Sequence, residues 1–195
     1  MRKLVVVEFV TLDGVMQGLG SPDEDRDGGF EHGGWGAPYG DEMLGKWAMS
    51  GLPDTDAYLL GRRTYEKLAA FWPSQPDDNP MAAHLNRTRK YVATRSPRTF
   101  DWANTTALDA GVPDGVAALK DEPGGAIGVL GSGVLVQDLI AQDLVDEYQI
   151  LLHPLLLGTG RRLFRGYDRP RRLRLVDSLV TTTGVVALTY RPERD

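Results

Sequence analysis

The sequence predicts an α/β fold: a mostly parallel central sheet with helices on both faces, closed by a C-terminal antiparallel hairpin. Three observations carry this reading. Short apolar, β-branched runs at residues 4–10, 57–60 and 126–130 alternate with stretches of helical spacing, the pattern of strand–helix–strand units around a buried parallel sheet. Glycines stand at strand-to-helix junctions, at Gly61 and Gly131. Near the end, residues 173–180 and 185–190 form two strand-like runs around a turn at Thr183-Gly184.

Taken in order, residues 4–10 are a buried strand interrupted only by Glu8. Residues 11–40 break up into glycine, proline and acids, a loop long enough to be read as functional. Residues 41–49 have helical spacing with acids at the start, where the helix dipole favours them. A short strand at 57–60 ends at Gly61, and a helix at 64–72 stops at Pro73. Phe71-Trp72 at its end reads as core, or as core with an edge on a substrate pocket. The next element is a strand at 91–94. Pro113-Asp114 then opens a helix running through Lys120, closed by Pro123-Gly124-Gly125. After the strand at 126–130, Gly131-Ser132-Gly133 leads into a helix reaching about Ala141, and residues 147–152 are a strand. No repeat, low-complexity tract or linker divides the chain, so residues 1–195 read as a single domain.

Composition removes several classes of function. The absence of cysteine excludes disulfides, thiolate metal sites and a cysteine nucleophile. His32, His84 and His153 lie far apart, without zinc-type spacing, so no protein-held metal is expected. The basic start and apolar run resemble a signal peptide, but the run is short, Glu8 breaks it and no small-residue cleavage site follows. A cytoplasmic protein that neither binds nor crosses a membrane is the expectation. The net charge of −5 is uneven: −7 over residues 1–60 and +2 over the rest. An acidic front half argues against nucleic acid.

Three segments at predicted strand ends carry candidate chemistry. Gly131-Ser132-Gly133 opens a helix whose free N–H groups suit a phosphate, although a plain tight turn explains it equally well. In Gly61-Arg62-Arg63-Thr64, two arginines at a helix N-terminus oppose the macrodipole, a conflict that either an anionic ligand or nearby acids would remove. Thr94-Arg95-Ser96 sets a guanidinium between two hydroxyls, suited to a phosphate monoester or to ordinary turn chemistry before Pro97. All three fall at carboxyl ends of strands, where open α/β sheets bind ligands. Together they fit a pyrophosphate plus one further phosphate, as in NADPH. Competing motifs fail. The first strand is followed by Thr11-Leu12-Asp13-Gly14 and not by G-x-G-x-x-G, Trp47 occupies the Ser/Thr position of a near P-loop at residues 40–47, and Ser132 does not sit in G-x-S-x-G.

These segments resemble the dihydrofolate reductase superfamily. Thr11-Leu12-Asp13-Gly14 is similar to the start of its mobile active-site loop, and Gly61-Arg62-Arg63-Thr64-Tyr65-Glu66 to its Gly-Arg-x-Thr-aromatic-Glu segment on the cofactor phosphates. Thr94-Arg95-Ser96 resembles the strand end at the 2′-phosphate, and Gly131-Ser132-Gly133 the glycine pair under the pyrophosphate. The stretch from Leu144-Val145-Asp146-Glu147 through His153-Pro154, residues 155–160 and Leu163-Phe164 resembles the C-terminal reductase domain of bacterial riboflavin biosynthesis. The whole chain is similar to stand-alone relatives of that domain. The zinc deaminase normally fused to that riboflavin enzyme is not expected in these 195 residues, which hold no cysteine for its zinc signature.

The resemblance implies a three-layer dihydrofolate-reductase-like sandwich, NADPH as cofactor, and hydride transfer to a C=N or C=O group of a pterin-, pyrimidine- or related heterocyclic substrate. It implies that Arg62, Arg63, Thr64, Thr94, Arg95 and Ser96 hold phosphates and the adenosine end, beside Gly61. Leu130, Gly131, Ser132, Gly133, Val134 and Leu135 cover the pyrophosphate, while Asp13, Gly14, Val15 and Met16 approach the nicotinamide. Asp41 is the counterpart of the pterin-holding carboxylate and the candidate catalytic residue, although a helix N-cap explains it as well. Trp35, with Phe30 and Tyr39, either stacks on a substrate ring or staples the loop to the core. The seven arginines between Arg161 and Arg174 read as a solvated edge, a phosphate contact or a dimer contact. The riboflavin-type likeness implies a homodimer through the terminal strands. Two alternatives stay open: a non-catalytic NADPH- or nucleotide-binding protein of the same fold, and a true dihydrofolate reductase.

Overall fold

The computed structural model describes residues 1–96, 98–108 and 110–193. Its strands are β1 (Leu4–Thr11), β2 (Thr55–Gly61), β3 (Arg89–Ala93), β4 (Thr105–Ala107), β5 (Ala126–Leu130), β6 (Glu147–His153), β7 (Leu173–Val180) and β8 (Val186–Pro192). Its α-helices are α1 (Glu42–Ser50), α2 (Arg62–Phe71), α3 (Pro80–Arg87), α4 (Gly111–Asp121) and α5 (Gly133–Ala141). The sheet order is β4-β3-β2-β5-β1-β6-β8-β7. β2 is parallel to β3 and β5, β3 is parallel to β4, and β8 is antiparallel to both β6 and β7. The predicted α/β class and the closing hairpin are therefore present.

The chain folds as two compact units: residues 1–5 with 48–146, and residues 6–47 with the chain from 147 onward. In the first unit, Tyr58, Leu60, Tyr65, Leu85, Val92 and Trp102 form a buried cluster against which Leu68, Trp72 and Phe100 pack. Lys90 is almost completely buried beside it. Its ammonium donates to the carbonyls of Leu85 and Thr88, both at 2.7 Å, and stands 4.4 Å from the centre of the Trp102 ring. Two hydrogen bonds and a ring face offset the cost of burying that cation.

Several element ends, among them those of β2, β3 and α4, fall one or two residues from the sequence reading, and three elements call for comment. α2 starts two residues early, at Arg62, and Pro73 ends it through a 3-10 turn, Trp72–Ser74. α3 was not anticipated. Asn79 caps it by accepting from the N–H groups of Met81 and Ala82, and Pro80 occupies the first turn, the arrangement proline tolerates best in a helix. β4 is three residues long and mostly exposed, so it carries no buried pattern to read. Phe71, assigned to the core, is 53% exposed, whereas Trp72 packs against the cluster.

In the second unit, the 11–40 loop has its own small core. Val15, Phe30 and Trp35 are buried together, with Phe9, Leu19, Leu155 and Leu157 against them. β7 is the free edge of the sheet, and nearly all of its residues are exposed.

Candidate functional site

Gly61 and Ala93 are register partners at the carboxyl ends of β2 and β3. β5, parallel to β2 on its other side, ends at Leu130. All three predicted phosphate segments therefore leave one edge of one parallel sheet in the first unit. A long-range bond organises that edge: the Gly61 N–H donates to Ser132 Oγ at 2.9 Å. Ser132 Oγ donates in turn to the Leu130 carbonyl, at 3.2 Å.

This use of Ser132 leaves the α5 N-terminus without a side-chain cap, and Gly61 supplies none to α2. Uncapped N–H groups and two dipole ends of positive sign thus meet at one place, an arrangement that attracts anions. Gly131 has a φ of +54°, and a Cβ there would stand 3.4 Å from Thr64 Cγ2 and 3.6 Å from its Oγ1. The glycine keeps the turn open beside the Thr64 hydroxyl. Leu135 is buried behind the turn, and Val134 is exposed in the first turn of α5.

The arginines divide. Arg62 Nη1 is 3.1 Å from both oxygens of Glu66, and Arg98 Nη1 is 2.6 Å from Glu66 Oε1. The Arg98 bond, then Arg62, hold the Glu66 carboxyl below its ordinary pKa. The conflict between Arg62 and the dipole is thus met by an acid, one of the two solutions the sequence left open. Arg63 lies in the same first turn of α2. Thr94 Oγ1 and the Ser96 N–H are 3.3 Å apart, an ordinary turn bond. Arg95 between them is exposed, and no described residue pairs with it.

The remaining predicted residues belong to the second unit and are braced by it. Asp13 accepts from Thr11 Oγ1 at 2.6 Å and from the N–H groups of Gly158 and Leu157 at 2.8 and 3.2 Å. These bonds, the Thr11 hydroxyl first, lower its pKa to about 2. Gly14 and Met16 pair through their backbones with Leu163 and Arg161, and the Val15 side chain is wholly buried. Asp41 caps α1 through Oδ1, which accepts from the Met43 and Leu44 N–H groups at 2.6 and 3.3 Å. Its Oδ2 accepts from the Thr182 hydroxyl and, at 2.9 Å, from the Thr182 N–H. The Thr182 hydroxyl is the main cause of its lowered pKa. Both carboxylate oxygens are committed to the protein. Trp35 is buried, with Nε1 donating to the Gln17 carbonyl at 2.7 Å and its ring set edge-on to His153, 5.0 Å away. Trp35 and Phe30 are buried together in the loop's own small core.

Three features went unread. Arg161 pairs with Asp25 and Asp27, and Arg162 with Asp13, so two of the seven arginines clamp the acidic loop. Arg98 shares Glu66. Glu8 is buried, its Oε1 lacks a hydrogen-bond partner among the described residues, and burial raises its pKa well above the ordinary value. Its position inside an apolar strand run was the available signal. Among the described residues, no helix is long and apolar enough to cross a membrane, and no three His, Asp or Glu side chains gather as a metal site.

The parallel strands and the terminal antiparallel hairpin place the chain in the dihydrofolate-reductase-like class of folds. Dihydrofolate reductase from Enterococcus faecalis, in complex with NADP(H) and RAB-propyl, matches with a TM-score of 0.63 at 16% identity, over 98% of this chain and 97% of that one. Within the class, the chain belongs to the RibD C-terminal domain family, whose model matches residues 2–187. A putative riboflavin biosynthesis protein from Shewanella sp. PV-4 matches with a TM-score of 0.69 at 19% identity, over 98% of this chain and 99% of that one. A pyrimidine reductase-like protein from Corynebacterium diphtheriae matches with a TM-score of 0.64 at 13% identity, over 100% and 93%. In sequence, the chain is 30% identical to the uncharacterized protein YwjB of Bacillus subtilis (strain 168) over 178 residues, covering 89% of each. It is 25% identical to YyaP of the same organism over 196 residues, covering 97% of this chain and 94% of YyaP.

Proposed function

We propose that this protein is an NADPH-dependent reductase acting on a C=N or C=O group of a pterin-, pyrimidine- or related heterocyclic substrate. One observation carries the reading. Two uncapped helix N-termini, the Gly131 turn and the Thr64 hydroxyl gather at the carboxyl edge of parallel strands, with the unpaired Arg95 on the neighbouring strand end. That donor set suits a pyrophosphate and a further phosphate. The bound nicotinamide would supply the hydride.

In this reading, N–H groups of Gly133, Val134 and Leu135 and the Thr64 hydroxyl hold the pyrophosphate. Arg95, with Thr94 and Ser96, holds the 2′-phosphate. Arg62 and Arg63 add positive charge, Arg62 while keeping its bond to Glu66. The 13–16 turn is assigned to the nicotinamide end by the resemblance alone, since the Asp13 carboxylate and both backbone polar groups of Gly14 are bonded within the second unit. On the substrate side, Asp41 and Trp35 act by fixing the loop. Membership of a family that includes reductases supports the activity, and a family model running through both units supports treating residues 1–195 as one functional domain. The cytoplasm is the proposed setting, and a homodimer the proposed state.

The test is a fluorescence titration with NADPH and NADH of the protein and an Arg95→Ala variant. The reading expects NADPH to bind more tightly than NADH, and the preference to shrink about tenfold in the variant, the loss of one charge-assisted contact. Equal affinities for the two nucleotides, unchanged by the substitution, would overturn the phosphate assignment.

A further inference from the structure

At the other end of β2 and β3, still within the first unit, an open cleft of about 460 Å³ is lined by Arg2, Thr55, Asp56, His84, Arg87 and Arg89, among others. Thr55 opens β2 and Arg89 opens β3, so the cleft stands at the amino-terminal edge of these strands, away from the Gly61 and Gly131 turns. Its volume is that of a small-molecule site.

The charges in it do not balance. Asp56 is already neutralised: one oxygen is paired with the Arg2 guanidinium, and the other accepts the Gly125 N–H at 2.7 Å. Arg87 and Arg89 are exposed and find no acid among the described residues. The usual duty of an arginine at a helix C-terminus is to satisfy the last carbonyls, and Arg87 closes α3. Here those carbonyls are taken by other donors. Thr88 Oγ1 donates to His84 O at 2.7 Å, and Lys90 Nζ donates to Leu85 O and Thr88 O. Asn104 Nδ2 donates to Asn86 O and Arg87 O at 3.0 and 3.3 Å. Arg87 is left without an internal role.

His84 adds an independent observation. It is 4% exposed, and its Nδ1 has no hydrogen-bond partner among the described residues. Because the Thr88 hydroxyl proton is committed to the His84 carbonyl, the 3.3 Å contact between Thr88 Oγ1 and His84 Nε2 requires Nε2–H to be the donor. Nδ1 is then a bare acceptor in a buried place, a position that ordinarily has a partner. Burial first, then the Arg87 and Lys90 charges, hold its pKa below the ordinary value and keep the ring neutral.

We propose that this cleft is a second anion site, taking a phosphate dianion, free or as the monoester of a small hydroxylated molecule, between Arg87 and Arg89, with the His84 ring beside it. Two guanidiniums match two charges and offer paired donors to phosphate oxygens. The neutral His84 ring lines the same cleft, and its Nδ1 is left without a partner among the described residues. The inference is independent of the cofactor reading, since the residues belong to opposite edges of the sheet.

The experiment is a titration of the ¹⁵N-labelled protein with inorganic phosphate and with glucose 6-phosphate at constant ionic strength, against chloride. Saturable shifts are expected at the amides of Arg87, Thr88 and Arg89 and at the His84 ring. They should weaken by about tenfold or more in an Arg87→Gln/Arg89→Gln variant and persist in Arg95→Gln. Both arginines are exposed, so the variant should keep the fold and the spectrum. Tighter binding of glucose 6-phosphate identifies a monoester as the ligand class, and equal binding identifies free phosphate. Shifts confined to residues 131–135, or no stronger than those with chloride, would overturn the proposal.

Discussion

Ser132 accepts the Gly61 N–H and so ties the end of β2 to the turn that opens α5. The two residues are 71 positions apart in the chain. Because the hydroxyl is spent on this bond, it does not cap α5, and the helix end stays open to a ligand. Ser132 itself sits at φ 68°, ψ 40°, a left-handed conformation that costs a non-glycine residue energy.

Ser132→Ala should therefore do two things. It leaves the Gly61 N–H without its acceptor at a half-buried site, which costs about 1–2 kcal/mol of stability. It also releases the turn, so NADPH affinity should fall several-fold. Gly131→Ala acts differently: at φ +54° the new methyl is strained and stands beside Thr64. Affinity should fall further than for Ser132→Ala at a comparable loss of stability. Urea unfolding and a nucleotide titration on both variants separate the two effects.

Asp13 links pH to the loop. Its pKa in the folded chain is about 2, against 3.8 for the free side chain. The unfolded chain therefore binds the proton more readily. The stabilisation is complete above about pH 4 and is lost as the pH falls through 2. Asp13→Asn should cost about 1–2 kcal/mol at neutral pH, and the gap to the wild type should close between pH 4 and 2. Denaturant midpoints at pH 7, 4, 3 and 2 would check both the size and the direction. A gap that widens in acid would contradict the assignment.

What the sequence made legible was local. Residues 126–130 and 173–180 match β5 and β7 residue for residue, because buried apolar runs and hairpin turns are written in adjacent positions. α3 was missed although Asn79-Pro80 carries its start signal, since an eight-residue helix has too few turns to display a period. At the candidate site, the glycine turns and arginines were visible one segment at a time. Which arginine has an acid was not: Glu66 takes Arg62 from its own helix and Arg98 from 32 positions along the chain. Arg161 and Arg162 reach Asp25, Asp27 and Asp13 across 134 to 149 positions. The same clamp gives a partner to three of the eleven acids in residues 1–60, a stretch that read only as an obstacle to nucleic acid.

Trp35 separates a staple from a substrate shelf. Its ring is buried and its N–H bonds to the Gln17 carbonyl. Trp35→Phe should lose about 1 kcal/mol for that bond, and Trp35→Ala about 3–5 kcal/mol for the emptied volume. If the ring only fixes the loop, the Phe variant keeps its NADPH affinity. Protease susceptibility of residues 18–36 should rise in the Ala variant and hardly at all in the Phe variant, which limited proteolysis with mass mapping would read.

β7 tests the proposed homodimer. It is an edge strand, and it exposes Leu175 at 48% and Val180 at 63%. Its register against β8 shifts between Leu175 and Asp177, so Val176 is an extra residue on the open side. A free apolar edge of eight residues invites pairing, and isolated proteins blunt such edges with charge or cover them. β7 has Arg174 and Asp177 among its apolar residues, one charge of each sign, so two copies in antiparallel register could set unlike charges against each other. Leu175→Lys/Val180→Lys adds two like charges to each edge and should convert the dimer to monomer at micromolar concentration, read by light scattering coupled to size exclusion. Both positions are exposed, so the monomer should unfold within a few degrees of the parent's transition. A wild-type chain that is monomeric at the same concentration would remove the dimer from the proposal and leave the charge change without effect on mass.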